Sequence, residues 1–265
     1  MDDLDADDRR GRQDGATARR PRDPRPARLG RERHAAGRRR PASLAASVAE
    51  VARALGYSTW NVVGHSLGGF VALELAAQEQ VATQGVVLVS GSGAAVMDAV
   101  RRPWRGGLRL PGFAGMLLAM RLLATTRTAG RGFLRALCRM RLLRAAAAPL
   151  FAHPARIDRT VVDALADEIR PAAFVAAARA ARAYDRERWR LITTRIISLR
   201  GRSDVFAGAH DGEAFARLIP MFVEHRIEDA GHFAHIERPD VVLSALRSID
   251  RLRSRRRSRA ATVAA

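Results

Sequence analysis

Apolar residues form short, nearly continuous runs at intervals along the chain after residue 41. Runs that are rich in β-branched residues are typical of strands covered on both faces of a sheet. They lie at Trp60–His65, Gly85–Ser90 and Arg195–Arg200, and a fourth strand is predicted near Met221–Ile227. Strands that alternate with helical patterns predict an α/β fold with a mostly parallel sheet.

Between these runs, apolar residues recur at the spacing of a helix. Ser43 is placed to cap a first helix, which ends near Gly56 and has Leu44, Val48, Val51 and Leu55 as its apolar positions. Further helices are predicted at Gly68–Gln78, near Glu213–Leu218 and from about Pro239 to Arg253.

The changes of pattern divide the chain into segments. From residue 95 to 189 the sequence is helical, rich in Ala, Leu and Arg, and interrupted by prolines, which predicts a helical lid. This lid is inserted into a core formed by residues 42–94 and 190–253. Residues 254–265 are expected to be a basic, flexible tail.

Residues 1–41 alternate Arg, Asp, Gly and Pro and contain hardly any large apolar residues. Such a segment buries too little apolar area to offset the entropy of ordering, so we interpret it as disordered or as a misassigned start. It offers no apolar stretch for a signal peptide, and the expected location is cytoplasmic.

The charge pattern bears on possible partners. The formal net charge is +19, and every basic residue is Arg. No recognised nucleic-acid module accompanies this charge, so nucleic-acid binding is not favoured. Arg131, Arg135 and Arg139 fall on one helical face, which we interpret as a solvated surface, with contact to an anionic membrane surface as the alternative.

The single cysteine, Cys138, excludes an intramolecular disulfide.

The segment Gly64-His65-Ser66-Leu67-Gly68 fits the pattern G-x-S-x-G between a predicted strand and a predicted helix. In that context the serine sits on a sharp turn, and the flanking glycines let the chain bend without a clash.

The region Val62–Ala76 resembles the nucleophile region of α/β-hydrolases. Leu199–Asp204 is similar to the family segment that supplies the acid, and Asp229–Phe233 is similar to the loop that supplies the histidine. The resemblance implies an α/β-hydrolase sheet with Ser66 as nucleophile, Asp204 as acid and His232 as base. We expect Ser66 Oγ near His232 Nε2, and Asp204 near His232 Nδ1, each within about 3.5 Å.

Three other residues are weighed against these assignments. His235 is the rival base, although its place at the entry to the last helix favours a structural role. Asp211 is the rival acid, and Asp204 is favoured because it directly follows a strand. His65 is interpreted as a packing or hydrogen-bonding neighbour of the serine.

The front of the family pattern is missing from the sequence. The backbone N–H of Leu67 is expected to be one oxyanion donor, but no His-Gly loop supplies the second, since His34 is followed by Ala35. The early strands are missing as well. The strand at Trp60–His65 is therefore predicted to expose an apolar sheet edge, which is a site of association.

These observations predict a serine-dependent hydrolase that cleaves a small ester or related carbonyl compound through an acyl-enzyme, without metal or organic cofactor. C–C hydrolases, acyltransferases and perhydrolases share the resemblance. The alternative is a catalytically impaired hydrolase fold, or a basic protein that binds polyanions or membrane surfaces. The sequence leaves the oligomeric state open.

Overall fold

The computed structural model describes residues 40–126, 145, 147–208 and 210–263, without the side chains of residues 166 and 252–263. The predictions for residues 1–39, for Arg131, Arg135 and Arg139, and for Cys138 lie outside the described residues.

A parallel sheet forms the centre of the described part. Its four strands are β1 (Trp60–His65), β2 (Thr83–Val89), β3 (Arg195–Gly201) and β4 (Phe222–Ile227). They lie in the order β1-β2-β3-β4, and each pair of neighbours is parallel. The predicted strands and the parallel α/β architecture are confirmed.

Helices connect and cover the strands. They are α1 (Pro41–Ala54), α2 (Gly68–Gln78), α3 (Ala94–Arg101), α4 (Pro103–Arg109), α5 (Pro111–Thr125), α6 (Arg159–Glu168), α7 (Pro171–Arg182), α8 (Asp211–Leu218), α9 (Ala234–Glu237) and α10 (Pro239–Val263). Short 3₁₀ turns lie at Ala148–Leu150, Pro154–Arg156 and Arg186–Leu191. Helices α3 to α7 and these turns fall between β2 and β3, in the segment predicted as the lid.

The central strands are buried on both faces, as their apolar runs predict. Val86 and Leu88 of β2 pack on one side with α2, α3 and α5, whereas Val87 and Val89 pack on the other side with α10. Successive residues of a strand point to opposite faces, so an uninterrupted run of apolar residues supplies both cores.

The face of α1 that is buried differs from the predicted one. Ala45 and Ala49 are buried against Leu75 of α2, while the predicted apolar positions are largely exposed: Leu44 by 36%, Val48 by 44%, Val51 by 58% and Leu55 by 60%. Small residues let the two helices approach closely, and no described residue covers the larger side chains on the other side.

Helix α10 runs to Val263, beyond its predicted end at Arg253. Most of the segment 254–265, which the sequence predicts to be a basic, flexible tail, thus has a helical backbone up to Val263. Arg and Ala both favour helix, so the Arg- and Ala-rich sequence continues the helical conformation.

A buried polar cluster fastens the end of the lid segment to α2. Glu74 is fully buried and accepts hydrogen bonds from the Tyr184 hydroxyl at 2.8 Å and from Arg188 at 2.7 to 3.0 Å. Burial alone would raise the pKa of Glu74, but the bonds from Arg188 and Tyr184 outweigh it and lower the pKa. The carboxylate is thus held charged inside the core, on α2.

Candidate active site

Ser66 occupies the sharp turn between β1 and α2. Its φ is +52°, a left-handed conformation that is strained for a residue with a side chain. Two backbone hydrogen bonds hold it there: Ser66 N–H donates to Val89 O at the end of β2 at 3.2 Å, and Ser92 N–H of the following loop donates to Ser66 O at 3.0 Å. The strand end and helix start are therefore fixed, and the Ser66 side chain faces a cavity.

Gly64 of the motif and Gly69, directly after it, let backbone segments approach closely around this turn. A Cβ at Gly64 would lie 2.6 Å from the Cβ of Ala72 on α2, and one at Gly69 would lie 3.2 Å from the Cα of Gly91. Larger side chains at these positions would push the strand, the helix and the β2–α3 loop apart. The glycines are thus required by packing as well as by the turn.

His232 lies between Ser66 and Asp204. Its Nε2 is 3.0 Å from Ser66 Oγ, and its Nδ1 is 2.9 Å from Asp204 Oδ1. The Asp204 carboxylate can only accept while it is ionised, so Nδ1 carries the proton and Nε2 is free to accept the Ser66 O–H. The three side chains that the sequence placed far apart are brought into one hydrogen-bonded chain.

The Asp204 carboxylate is buried and remains ionised. Burial opposes its charge, but the bond with His232, the Phe206 N–H at 2.8 Å and the nearby Ser90 hydroxyl outweigh it and lower the pKa of Asp204. Its second oxygen, Oδ2, has no hydrogen-bond partner of good geometry among the described residues. Ser90, itself buried with a φ of +49°, was not identified from the sequence as a neighbour of this acid.

His65 supports the backbone of His232 from behind. Its Nε2 lies 3.0 Å from His232 O, and because a carbonyl only accepts, Nε2 carries the proton. Burial is the main reason that the pKa of His65 falls to about 4, with a smaller contribution from His232. His65 is therefore a neutral hydrogen-bond donor, in agreement with its interpretation as a neighbour of the serine.

The loop that carries His232 is also bonded to the lid segment. His232 N–H donates to Leu150 O at 2.8 Å. Glu237 accepts from Gly231 N–H at 2.6 Å and from His153 N–H at 2.9 Å. Its carboxylate thus joins the loop to the lid segment, a role that no local sequence pattern indicated.

Asp211 and His235, the alternative acid and the alternative base, lie outside the hydrogen-bonded chain of Ser66, His232 and Asp204. The Asp211 carboxylate accepts from Ala95 N–H at 2.8 Å, in the first turn of α3, and from Gly208 N–H at 3.0 Å. His235 packs against the ring of His65 at 4.6 Å, and its buried Nδ1 has no hydrogen-bond partner among the described residues. Neither residue bonds to Ser66 or His232 in the hydrogen bonds found for the described residues.

A cavity of about 960 Å³ opens beside Ser66, Leu67 and His232. Leu67 directly follows Ser66 and precedes the first residue of α2, where backbone N–H groups lack helical partners. The described residues do not identify a second oxyanion donor, and His34 lies outside them.

Within the described part, no His, Cys, Asp and Glu side chains are grouped to hold a metal ion, and none of the helices is long and apolar enough to cross a bilayer.

The profile of the alpha/beta hydrolase fold matches residues 21–239. The chain belongs to the α/β-hydrolase family. Family membership supports a general hydrolase role, and the described four-strand parallel sheet is a partial sheet of this fold. The family match begins at residue 21, inside the Arg-rich segment.

Solved structures agree with the fold. An esterase from Exiguobacterium antarcticum is 16% identical, with a TM-score of 0.60 over 83% of this chain and 78% of that one. A thermophilic esterase from Thermogutta terrifontis is 21% identical, with a TM-score of 0.57 over 80% of this chain and 72% of the other. The epoxide hydrolase CorEH is 18% identical, with a TM-score of 0.54 over 83% and 78%. A search of curated proteins finds no match.

Proposed function

We propose that this α/β-hydrolase is a serine hydrolase that cleaves an ester or related carbonyl compound through a covalent acyl-enzyme. The observation that carries the proposal is the hydrogen-bonded chain from Ser66 through His232 to Asp204, at the mouth of a large cavity. A strained turn, a neutral imidazole and a buried carboxylate are the arrangement that activates a serine hydroxyl.

The first half of the reaction forms the acyl-enzyme. Ser66 Oγ attacks the substrate carbonyl carbon while its proton passes to His232 Nε2, and the carbonyl oxygen becomes an oxyanion. Leu67 N–H is the proposed first donor to that oxyanion. When the tetrahedral intermediate collapses, the bond to the leaving group breaks, and the leaving oxygen takes the proton from His232.

The second half reverses these roles with water. His232 Nε2 takes a proton from the water that attacks the acyl carbon, and returns it to Ser66 Oγ as the ester bond to the enzyme breaks. Asp204 stays ionised throughout and stabilises the imidazolium that forms in each half. Its lowered pKa is consistent with that task.

Steady-state hydrolysis of p-nitrophenyl acetate tests the proposal. Ser66→Ala should lower kcat by at least about three orders of magnitude, because it removes the nucleophile. Ser248→Ala is the matched control, since Ser248 lies on α10 and its hydroxyl donates to Ala245 O of the same helix. Turnover retained in Ser66→Ala would reject the proposal, and absence of turnover in a folded wild-type chain would favour a catalytically impaired fold.

A further inference from the structure

The cavity beside Ser66 has an almost wholly apolar wall. Among its described lining residues there is no Asp, Glu or Arg, and the only side chains able to form strong hydrogen bonds are those of His65, Ser66 and His232. All three belong to the reactive end. The rest of the described wall is built from Leu, Met, Phe, Val, Ile, Pro, Ala and Gly.

Small residues on one face of α5 make room in this cavity. Gly112, Gly115 and Ala119 line it at helical spacing, together with the flexible side chain of Met116. A Cβ at Gly115 would meet no heavy atom within 4 Å, whereas one at Gly112 would lie 2.7 Å from Val205 O. Gly112 is thus needed for packing, and Gly115 borders open space.

A charged group in this cavity would lose its water without gaining a charged partner among the described lining residues. Transfer of an ionised carboxylate to an apolar environment is very unfavourable unless it is paired. His65 is not such a partner, because burial keeps its imidazole neutral near pH 7. The net charge of +19 attracts anions to the surface in general, so rejection of an anion here would have to come from the cavity itself.

We propose that the cavity takes the acyl group of an uncharged ester with a long, unbranched or otherwise bulky apolar chain, and that it rejects acyl chains ending in a carboxylate. This inference rests on the proposed function for the position of the reacting carbonyl at Ser66. The acyl chain extends from Ser66 along the α5 face that bears Gly115 and Ala119.

A series of p-nitrophenyl esters measures the preference. From acetate to octanoate, kcat/KM should rise by about fourfold for each CH₂ that enters the cavity. At equal chain length, p-nitrophenyl hydrogen suberate should be at least about 100-fold poorer than p-nitrophenyl octanoate, because its terminal carboxylate must be desolvated. A preference for acetate, or equal rates for octanoate and hydrogen suberate, would overturn the proposal.

Substitutions on α5 test where the acyl chain lies in the cavity. Gly115→Phe should lower kcat/KM for octanoate at least about tenfold more than it lowers kcat/KM for acetate, because the ring fills space that the longer acyl chain needs. Gly115→Ala and Leu118→Phe are the matched controls, since alanine adds one methyl and Leu118 is 58% exposed outside the cavity lining. If Gly115→Phe fails to fold, Gly115→Leu replaces it. Equal effects on both esters would overturn the placement.

A binding measurement separates the two proposals. Octanamide and suberic acid monoamide have chains of equal length and resist cleavage, so calorimetry with the wild-type chain reports the cavity alone. Octanamide should bind at least about tenfold tighter. Tighter octanamide binding without ester turnover would reject the proposed function and keep the apolar specificity. Ester turnover with equal affinities for the two amides would keep the proposed function and reject the apolar specificity.

Discussion

The imidazole of His65 donates a hydrogen bond from Nε2 to the backbone oxygen of His232 at 3.0 Å. His65 directly precedes Ser66 at the end of β1, whereas His232 lies in the loop after β4. One bond therefore ties the serine turn to the loop of the proposed base. Its donor stays neutral, because burial lowers the pKa of His65 to about 4.

The low pKa of His65 predicts a loss of stability in mild acid. Between its folded pKa of about 4 and an unfolded value of about 6.5, the unfolded chain binds a proton that the folded chain does not. The stability that neutral His65 contributes is fully present above its unfolded pKa. It declines as the pH falls towards its folded pKa. By about pH 5 the loss should reach about 2 kcal/mol.

Denaturant unfolding at about pH 7.5 and about pH 5 measures this loss. His65→Gln is the comparison, since its amide keeps a donor for His232 O and does not titrate. The decrease in the free energy of unfolding should be about 2 kcal/mol smaller in the variant. An equal decrease in both proteins would contradict the assignment.

Glu237 is expected to position His232 through the backbone. Glu237→Ala removes the acceptor of Gly231 N–H and His153 N–H, and should cost about 2 kcal/mol of stability. It should also lower kcat by about tenfold at nearly constant KM, since a small displacement of the base affects chemistry more than binding. Glu237→Gln keeps one acceptor oxygen and should lie between wild type and Ala.

Glu228→Ala is the control for this variant, because Glu228 is 64% exposed and pairs with Arg202 at the surface. It should leave kcat unchanged and alter the free energy of unfolding by no more than about 0.5 kcal/mol. A kcat of wild-type size in folded Glu237→Ala would exclude the positioning role and leave only a structural one.

The two acids Asp204 and Asp211 should respond differently to replacement by Asn. Asp204→Asn removes the acceptor that fixes the His232 tautomer and should lower kcat by about three to four orders of magnitude. Asp211→Asn loses one of two bonds to backbone N–H groups and should cost about 1 to 2 kcal/mol of stability while folded protein keeps its kcat. Steady-state kinetics and unfolding on both variants check this contrast. A larger loss of kcat in Asp211→Asn would reverse the assignment of the acid.

The exposed apolar side of α1 predicts self-association. Val48 and Val51 are 44% and 58% exposed, and Val63 on the edge strand β1 of the described sheet is 49% exposed. The double variant Val48→Glu/Val51→Glu should reduce concentration-dependent association in sedimentation velocity. Leu243→Glu, at a residue on α10 that is 50% exposed, serves as the control. Equal association of both variants and wild type would rule out this surface.

Local patterns in the sequence were sufficient to predict the strands and the serine turn. Continuous apolar runs such as Val86–Val89 determine a strand buried on both faces wherever it lies in the sheet. The G-x-S-x-G motif likewise has its own geometric requirement, visible in the close approach of Gly64 to Ala72.

Features that depend on distant partners were not predictable in this way. The buried side of α1 is decided by what packs against it, so Ala45 and Ala49 are buried while the predicted apolar positions are exposed. Glu237 acts on Gly231 and His153 through backbone N–H groups, which leave no trace in side-chain patterns. The apolar cavity is assembled from the serine turn, α5 and the lid segment, and its composition emerges only in three dimensions.

The formation of a covalent bond at Ser66 is the most direct test of the proposed mechanism. Intact mass spectrometry after treatment with a fluorophosphonate, followed by peptide mapping, should find one adduct on Ser66 in wild type and none in Ser66→Ala. The adduct should form at least about 100-fold more slowly in Asp204→Asn, because the imidazole then lacks its partner. An adduct on another residue, or no adduct on a wild-type chain with a native circular dichroism spectrum, would contradict the assignment of Ser66 as the nucleophile.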